Sequence, residues 1–438
     1  MKNIYSLFII VVLSFILNAK IVLGSEPSVV FINPGKTGEV FWDMVSDFMQ
    51  QAGEQLNIDL TIYTAERDHI KMTQLAQKVA NSANAPDYMI LVNEKGFVSR
   101  VLPNIPESIK IILLNNGLSK EEQKKYGEPR EIFPNWLATV VPDHKKAGLD
   151  IICDGEQRRR HYIWGFIEKL GKVDFENPAK KQSRGQRYSE ETQAPRVLEE
   201  WSWTKPVLLD ALRFTKARTK KPVKVTLPGP MTVADSVYDE VGGRTDADFA
   251  ATYATLLNKE AVALSEAGAD VIQIDEPCFN IYTDEVKDWG MEMLEKSFKG
   301  VSAKRAVHIC YGYGTEVVLN WKNSNTDWSH YSTTLPLVAD SSIDQVSIEK
   351  AASGVNLSVL DCLENKVVMV GVIDVGTEEV ETPKVVADRI RHALEHVPAD
   401  RLIACTDCGM VPRSRRAAEG KINALTAGTA LVNREIGS

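Results

Sequence analysis

The chain has 438 residues, of which 44% are hydrophobic and 25% charged, with a formal net charge of −8. This is the composition of a globular protein too long for one ordinary domain, so two or three are expected. An acidic balance with dispersed lysines and arginines argues against a nucleic-acid binder, and the short run Arg158-Arg159-Arg160 reads as a solvated face or an anion contact.

In chain order, Lys2, the apolar run 4–17 and the small residues around Gly24 predict a secretory signal peptide over 1–24. The run is short for a bilayer span. No later segment is apolar enough to cross a membrane, so no span is expected after signal removal.

Residues 25–148 then alternate strand and helix: strand 28–33, helix 39–56, strand 58–63, helix 69–83, and strands 87–92 and 108–114. Such alternation predicts a Rossmann-like parallel sheet with helices on both faces. Ligands of open parallel sheets bind beyond the carboxyl ends of the strands, where Phe41, Trp42, Asn93, Glu94 and Asn115 fall. Aromatic faces with amide and carboxylate groups suit a sugar; core packing explains Phe41 and Trp42 equally well. On these residues the segment resembles part of the first lobe of periplasmic sugar-binding proteins of the ribose-binding type, which implies a sugar as its ligand. No second lobe follows.

From the junction at Gly148–Leu149 the strand ends change character. Short apolar runs at 149–153, 223–227, 269–274, 306–310, 344–348, 367–373 and 402–406 are separated by helical patterns, the clearest at 247–267. Seven parallel strands with helical crossovers predict an α/β fold of the (β/α)8 TIM-barrel type over 149–438, its first strand missing. The strand at 108–114 is the available substitute. A missing strand leaves two sheet edges, a liability for solubility.

Catalytic groups of such barrels sit at the C-terminal strand ends. Here these read Asp154-Gly155-Glu156, Pro228-Gly229-Pro230, Asp275-Glu276-Pro277, His308-Ile309-Cys310, Glu349, Asp374 and Asp407-Cys408-Gly409. Core packing does not explain a carboxylate, thiol or imidazole at nearly every end. His308 and Cys310, two apart on one strand, share a face. With Glu349 and Cys408 at comparable ends they offer an imidazole, two thiolates and a carboxylate, a four-coordinate set suited to Zn²⁺.

The stretches Val307-His308-Ile309-Cys310-Tyr311-Gly312, Ile272-Gln273-Ile274-Asp275-Glu276-Pro277 and Asp407-Cys408-Gly409-Met410 resemble the signature segments of the cobalamin-independent methionine synthase family. The resemblance implies zinc on His308, Cys310, Glu349 and Cys408. It implies that Glu156, Asp275 and Asp154 bind the homocysteine amino group, with Glu156 and Asp275 as the catalytic carboxylates. The activity implied is methyl transfer from 5-methyltetrahydrofolate polyglutamate to the homocysteine thiol, or a related thiol, in methionine biosynthesis. Two features depart from the larger enzymes of that family. The loop Val375-Gly376-Thr377 stands where they carry a histidine, and an insertion holding Trp321 and Trp328 precedes Glu349; both resemble a shorter, barrel-only branch. The alternatives are a periplasmic sugar-binding protein of a transporter, or an inactive chimera of the two halves. The compartment is equally divided: a signal peptide predicts export, whereas reduced thiolates and folate chemistry fit the cytoplasm.

Overall fold

A computed structural model describes residues 28–437, except 57, 94–95, 107, 115–136, 158, 160, 183–190, 314–315 and 412. The expected signal peptide, Glu94, Asn115, Arg158 and Arg160 lie outside the described residues, and nothing is described of the Phe41 side chain. The chain divides into two compact units, at Asn135/Trp136.

In the first unit, β1 (Ser28–Asn33), β2 (Asp59–Thr64), β3 (Tyr88–Leu91) and β4 (Lys110–Leu113) form a parallel sheet in the order β2-β1-β3-β4. Alternation explains its two cores. Val29 and Phe31 face the side holding Trp42, Val45 and Met49 of the helix Val40–Leu56, whereas Val30 and Ile32 face Met72, Ala76 and Val79 of the helix His69–Ala80. Both faces are covered, so β1 reads as a continuous apolar run. Two expected ligand contacts serve the fold instead. Trp42 is buried in the core, and Asn93 accepts a hydrogen bond from the Val98 amide at the start of a helical turn.

In the second unit, the helix Leu137–Ala147 packs on the helices Arg415–Ile436 and Leu209–Lys216, so this unit begins ahead of the expected junction at Gly148. A small sheet follows: β5 (Val173–Gln182) runs antiparallel to β6 (Glu191–Val197), and β8 (Tyr238–Asp239) lies beside β6. The main sheet is built from β7 (Lys224–Pro228), β9 (Val271–Asp275), β10 (Lys304–Ile309), β11 (Gln345–Ile348), β12 (Val367–Ile373) and β13 (Leu402–Thr406). All neighbours are parallel, in the order β7-β9-β10-β11-β12-β13. Of the seven strands expected, 149–153 contributes a single bridge, Ile152 to Val223. Among the described residues the ladder is an open parallel sheet; the expected barrel closure is not part of it.

Crossover helices cover one face. The helix Asp246–Glu266 starts on a capping box in which Thr245 and Asp248 satisfy each other's backbone amides. Ile272, Ile274, Val307, Ile309, Val346 and Ile348 point toward these helices in one large core. The alternate positions therefore point the other way: Lys224, Thr226, Gln273, Asp275, His308, Ser347 and Glu349. A strand with a period of two thus separates the packing residues from the polar ones.

Two carboxylates at strand ends hold the scaffold rather than the polar face. Glu276 accepts from the Met231 and Thr232 amides, each at 2.9 Å, and from the Thr232 hydroxyl at 2.7 Å, capping the helix Pro230–Ser236. Burial pushes its carboxyl up to about 7. A Cβ on Gly229 would overlap that carboxyl, which explains the glycine between two prolines. Asp407 takes a comparable position at the end of β13, against Gly371.

Candidate functional site

His308, Cys310 and Cys408 come together at the carboxyl ends of β10 and β13, with one potential ligand atom from each lying within 4.8 Å of the others. The two sulfurs are 3.9 Å apart. All six cysteines of the chain are free thiols. His308 Nδ1 is 2.9 Å from the Ser347 hydroxyl, its register partner on β11, and Nε2 is buried with no hydrogen-bond partner. A buried, unsatisfied ring nitrogen costs free energy unless something binds it. The donor set therefore fits a soft, four-coordinate metal ion such as zinc.

The charges of the trio depend on one another. The hydrogen bond with Cys408 draws the Cys310 thiol well below its ordinary range, against burial, and His308 assists. Cys408 is pushed well above its own range by the same contact. Burial disfavours the imidazolium of His308, but the Cys310 thiolate and Asp275 outweigh it and raise the imidazole. Deprotonation of the pair is thus easier at Cys310 than at Cys408.

Glu349, the fourth expected ligand, is fully buried but otherwise engaged. Oε2 accepts the Tyr311 amide at 2.9 Å and Oε1 accepts Lys322 Nζ at 2.7 Å. Burial pushes its carboxyl up, with Lys322 pulling the other way. Three of the four expected ligands are brought together, then, and Glu349 stands beside them on an ammonium.

Asp154, Glu156 and Asp275 line the neighbouring strand ends. The Asp154-Gly155-Glu156 turn closes on the Asp154 carboxylate, which accepts the Glu156 amide at 2.9 Å, and places Glu156 at a φ of 57°. Such a backbone conformation is rare outside glycine and is characteristic of functional sites. Glu156 accepts from the Thr226 hydroxyl at 2.6 Å and pairs with Arg159 at 2.9 Å. Asp275 sits beside His308 in register and accepts from Gln273 Nε2 at 2.7 Å, which Lys224 holds in turn at 2.8 Å. Burial, with the Glu156 charge adding to it, raises Asp275 to about 6.

The inserted segment forms one wall. Tyr311, next to Cys310, meets Trp328 edge-on with ring centroids 4.9 Å apart and stacks near Trp321 at 6.0 Å. Asp374 accepts the Gly376 amide and shapes the Val375-Gly376-Thr377 loop. A second group with metal-binding side chains, His392, Glu395 and His396, is largely exposed at a helix end, where such residues are ordinary surface.

The catalytic-domain model of cobalamin-independent synthases matches residues 111–429. The chain belongs to the cobalamin-independent methionine synthase family. A methionine synthase of Saccharolobus solfataricus is 32% identical over 312 residues, covering 70% of this chain and 86% of that protein. A methionine synthase of Sulfurisphaera tokodaii is 30% identical over 310 residues, covering 70% and 84%. The structure of a B12-independent methionine synthase from Shewanella sp. W3-18-1 in complex with selenomethionine is 39% identical, with a TM-score of 0.66 over 73% of this chain and 91% of that one. As in the sequence expectation, the chain is a methionine-synthase-like enzyme with an α/β fold. Sugar binding by the first unit has no support from these likenesses. The family match begins within β4, well ahead of Gly148. Sequence reasoning missed Ser347, Gln273, Lys224 and Lys322. The first three share the strand parity of His308 and Asp275, which is the signal that could have found them; Lys322 had none.

Proposed function

We propose that the chain is a zinc-dependent methyltransferase. It moves a methyl group from 5-methyltetrahydrofolate, as the polyglutamate, to the thiol of homocysteine. We further propose that the six-stranded sheet and the Ile152 bridge are the wall of a (β/α)8-type barrel whose interior carries the site. The observation behind this reading is the grouping of His308, Cys310 and Cys408 around an unsatisfied imidazole nitrogen.

When bound, zinc supplies a thiolate at neutral pH by favouring the deprotonated form of an incoming thiol. His308, Cys310 and Cys408 would hold it. Glu156 and Asp275 would bind the substrate ammonium, with Asp154 fixing the turn; an ammonium beside Asp275 favours its ionised form. Gln273 and Lys224 hold that carboxylate in place, and direct transfer depends on such alignment.

Purified chain should contain about one zinc, and should form methionine from homocysteine and methylfolate polyglutamate without cobalamin. Zinc with no methionine from either the mono- or the polyglutamate donor would remove folate from the reading. A folded chain without zinc would remove the reading itself. Ser347→Ala should lower zinc affinity by roughly 10–100-fold in chelator competition, because the ring loses the partner that fixes its tautomer. Unchanged affinity would show that Ser347 does not orient His308.

A further inference from the structure

The last turn of the helix Pro383–Leu394 and the two residues after it carry His392, Glu395 and His396. Each offers one atom able to hold a metal ion, and these atoms all lie within 4.8 Å of one another. Exposure alone would leave such a group as surface, but its surroundings set it apart. His392 and His396 are four apart, so both rings fall on one side of the helix end, with centroids 6.2 Å apart. Nδ1 of His396 is 2.9 Å from Asp361 Oδ1. A carboxylate there favours the tautomer with its proton on Nδ1, which leaves the lone pair of Nε2 for an ion.

The local charge also suits a cation. Glu395 and Asp361 are anionic, and the carbonyls that end a helix carry partial negative charge. The cation of the last turn, Arg391, is taken up by Asp388 and Glu435. Two imidazoles with a carboxylate fit zinc and its transition-metal neighbours, whereas calcium and magnesium want oxygen alone. Asp361 lies ahead of β12 and His396 ahead of β13. The group therefore sits at the amino ends of the strands, a strand's length from His308, Cys310 and Cys408.

We propose that His392, Glu395 and His396 form a second divalent-metal site, taking zinc or an ion of similar preference. Asp361 orients His396 from outside the ligand set. Water completes the shell, so the ion exchanges and a mild chelator removes it. Binding ties the end of this helix to the turn Leu357–Leu360, which Asp361 closes. It stabilises the second unit and takes no part in methyl transfer. The inference does not depend on the function proposed above.

Full-length chain is cleared of loosely held metal with a mild chelator and titrated with zinc by calorimetry. Cys310→Ser, in which the thiolate group is broken, should still bind an equivalent of zinc that disappears when His392→Ala is added. Asp361→Ala should weaken the same equivalent by roughly 10–100-fold. In the wild-type background, zinc beyond the first equivalent should raise the melt, because it binds the folded chain. His392→Ala alone should lose that rise and keep methionine formation. Equal zinc binding by folded Cys310→Ser with and without His392→Ala would place the ion elsewhere and overturn the proposal. So would no binding at all in folded Cys310→Ser. Should Cys310→Ser not fold, a zinc-dependent rise in the melt of His392→Ala equal to that of wild type overturns it. An unchanged titration in Asp361→Ala would overturn the role given to Asp361.

Discussion

Cys310→Ser is expected to leave the second unit folded and to strip it of metal and of methyl transfer. Serine is close to isosteric with cysteine, and Cys310 follows the last residue of β10, where the neighbouring core is built from Val307 and Ile309 on the opposite face. A hydroxyl does not ionise near neutral pH, so the site loses a soft anionic ligand and the partner of the Cys408 thiol in one step. The loss of zinc affinity should exceed the roughly 10–100-fold that follows from removing a partner outside the ligand set. Without zinc only a few per cent of an ordinary thiol is nucleophilic at pH 7, so methionine formation should fall below detection. Elemental analysis and a thermal melt on the same sample check both halves. A variant that keeps its zinc would show that Cys310 is not a ligand. A variant that loses zinc and still transfers methyl at the wild-type rate would separate the chemistry from the metal.

The sheets were legible in the sequence because parallel strands buried on one or both faces are short apolar runs. β1, β7 and β9 to β13 all fall within a residue or two of expectation. The antiparallel pair β5 and β6 was not legible. Its first strand reads Val-Asp-Phe-Glu-Asn-Pro-Ala-Lys-Lys-Gln, mostly polar, and a register shift between Asp174 and Ala179 destroys the period of two that would have marked it. Leu149–Cys153 misled in the opposite sense, since an apolar run bordering a sheet pairs there only at Ile152.

The candidate site was legible to the extent that chemistry sits at strand ends. His308, Cys310 and Cys408 could be named because the type and parity of each residue speak for themselves. Glu349 was read as a ligand from its type, its place at a strand end and the family resemblance. Which charge faces it is decided by Lys322, 27 residues earlier on a helix whose lysine looks like ordinary helix surface. Likewise Asp407 and Glu276 share the strand-end position and acidity of Asp275, yet backbone amides consume their oxygens. A sequence shows which carboxylates are at the rim. Only the folded chain shows which of them still have lone pairs to offer a substrate.

Asp407 puts that distinction to a second large test. Its carboxylate accepts the amides of Lys350, Ala351 and Ala352 at 2.9, 2.9 and 2.8 Å and the Tyr313 hydroxyl at 3.0 Å. It is completely buried, and burial raises its pKa despite these four donors. Asp407→Ala would orphan all of them, at about 1–3 kcal/mol for each buried donor left unsatisfied. Some would recover a water in the vacated space, so a net loss on the order of 3–5 kcal/mol is expected, a large share of a domain's stability. At roughly 2–4 °C per kcal/mol the melt of the second unit should fall by about 6 °C or more. Asp407→Asn retains one acceptor oxygen and should fall between alanine and wild type. Asp407 immediately precedes Cys408, one of the three residues grouped at the site, so the alanine variant should also weaken zinc binding at a temperature where it is still folded. If Asp407→Ala melts within a degree or two of wild type, water replaces the carboxylate at no cost, and Asp407 returns to the set of strand-end acids available for catalysis.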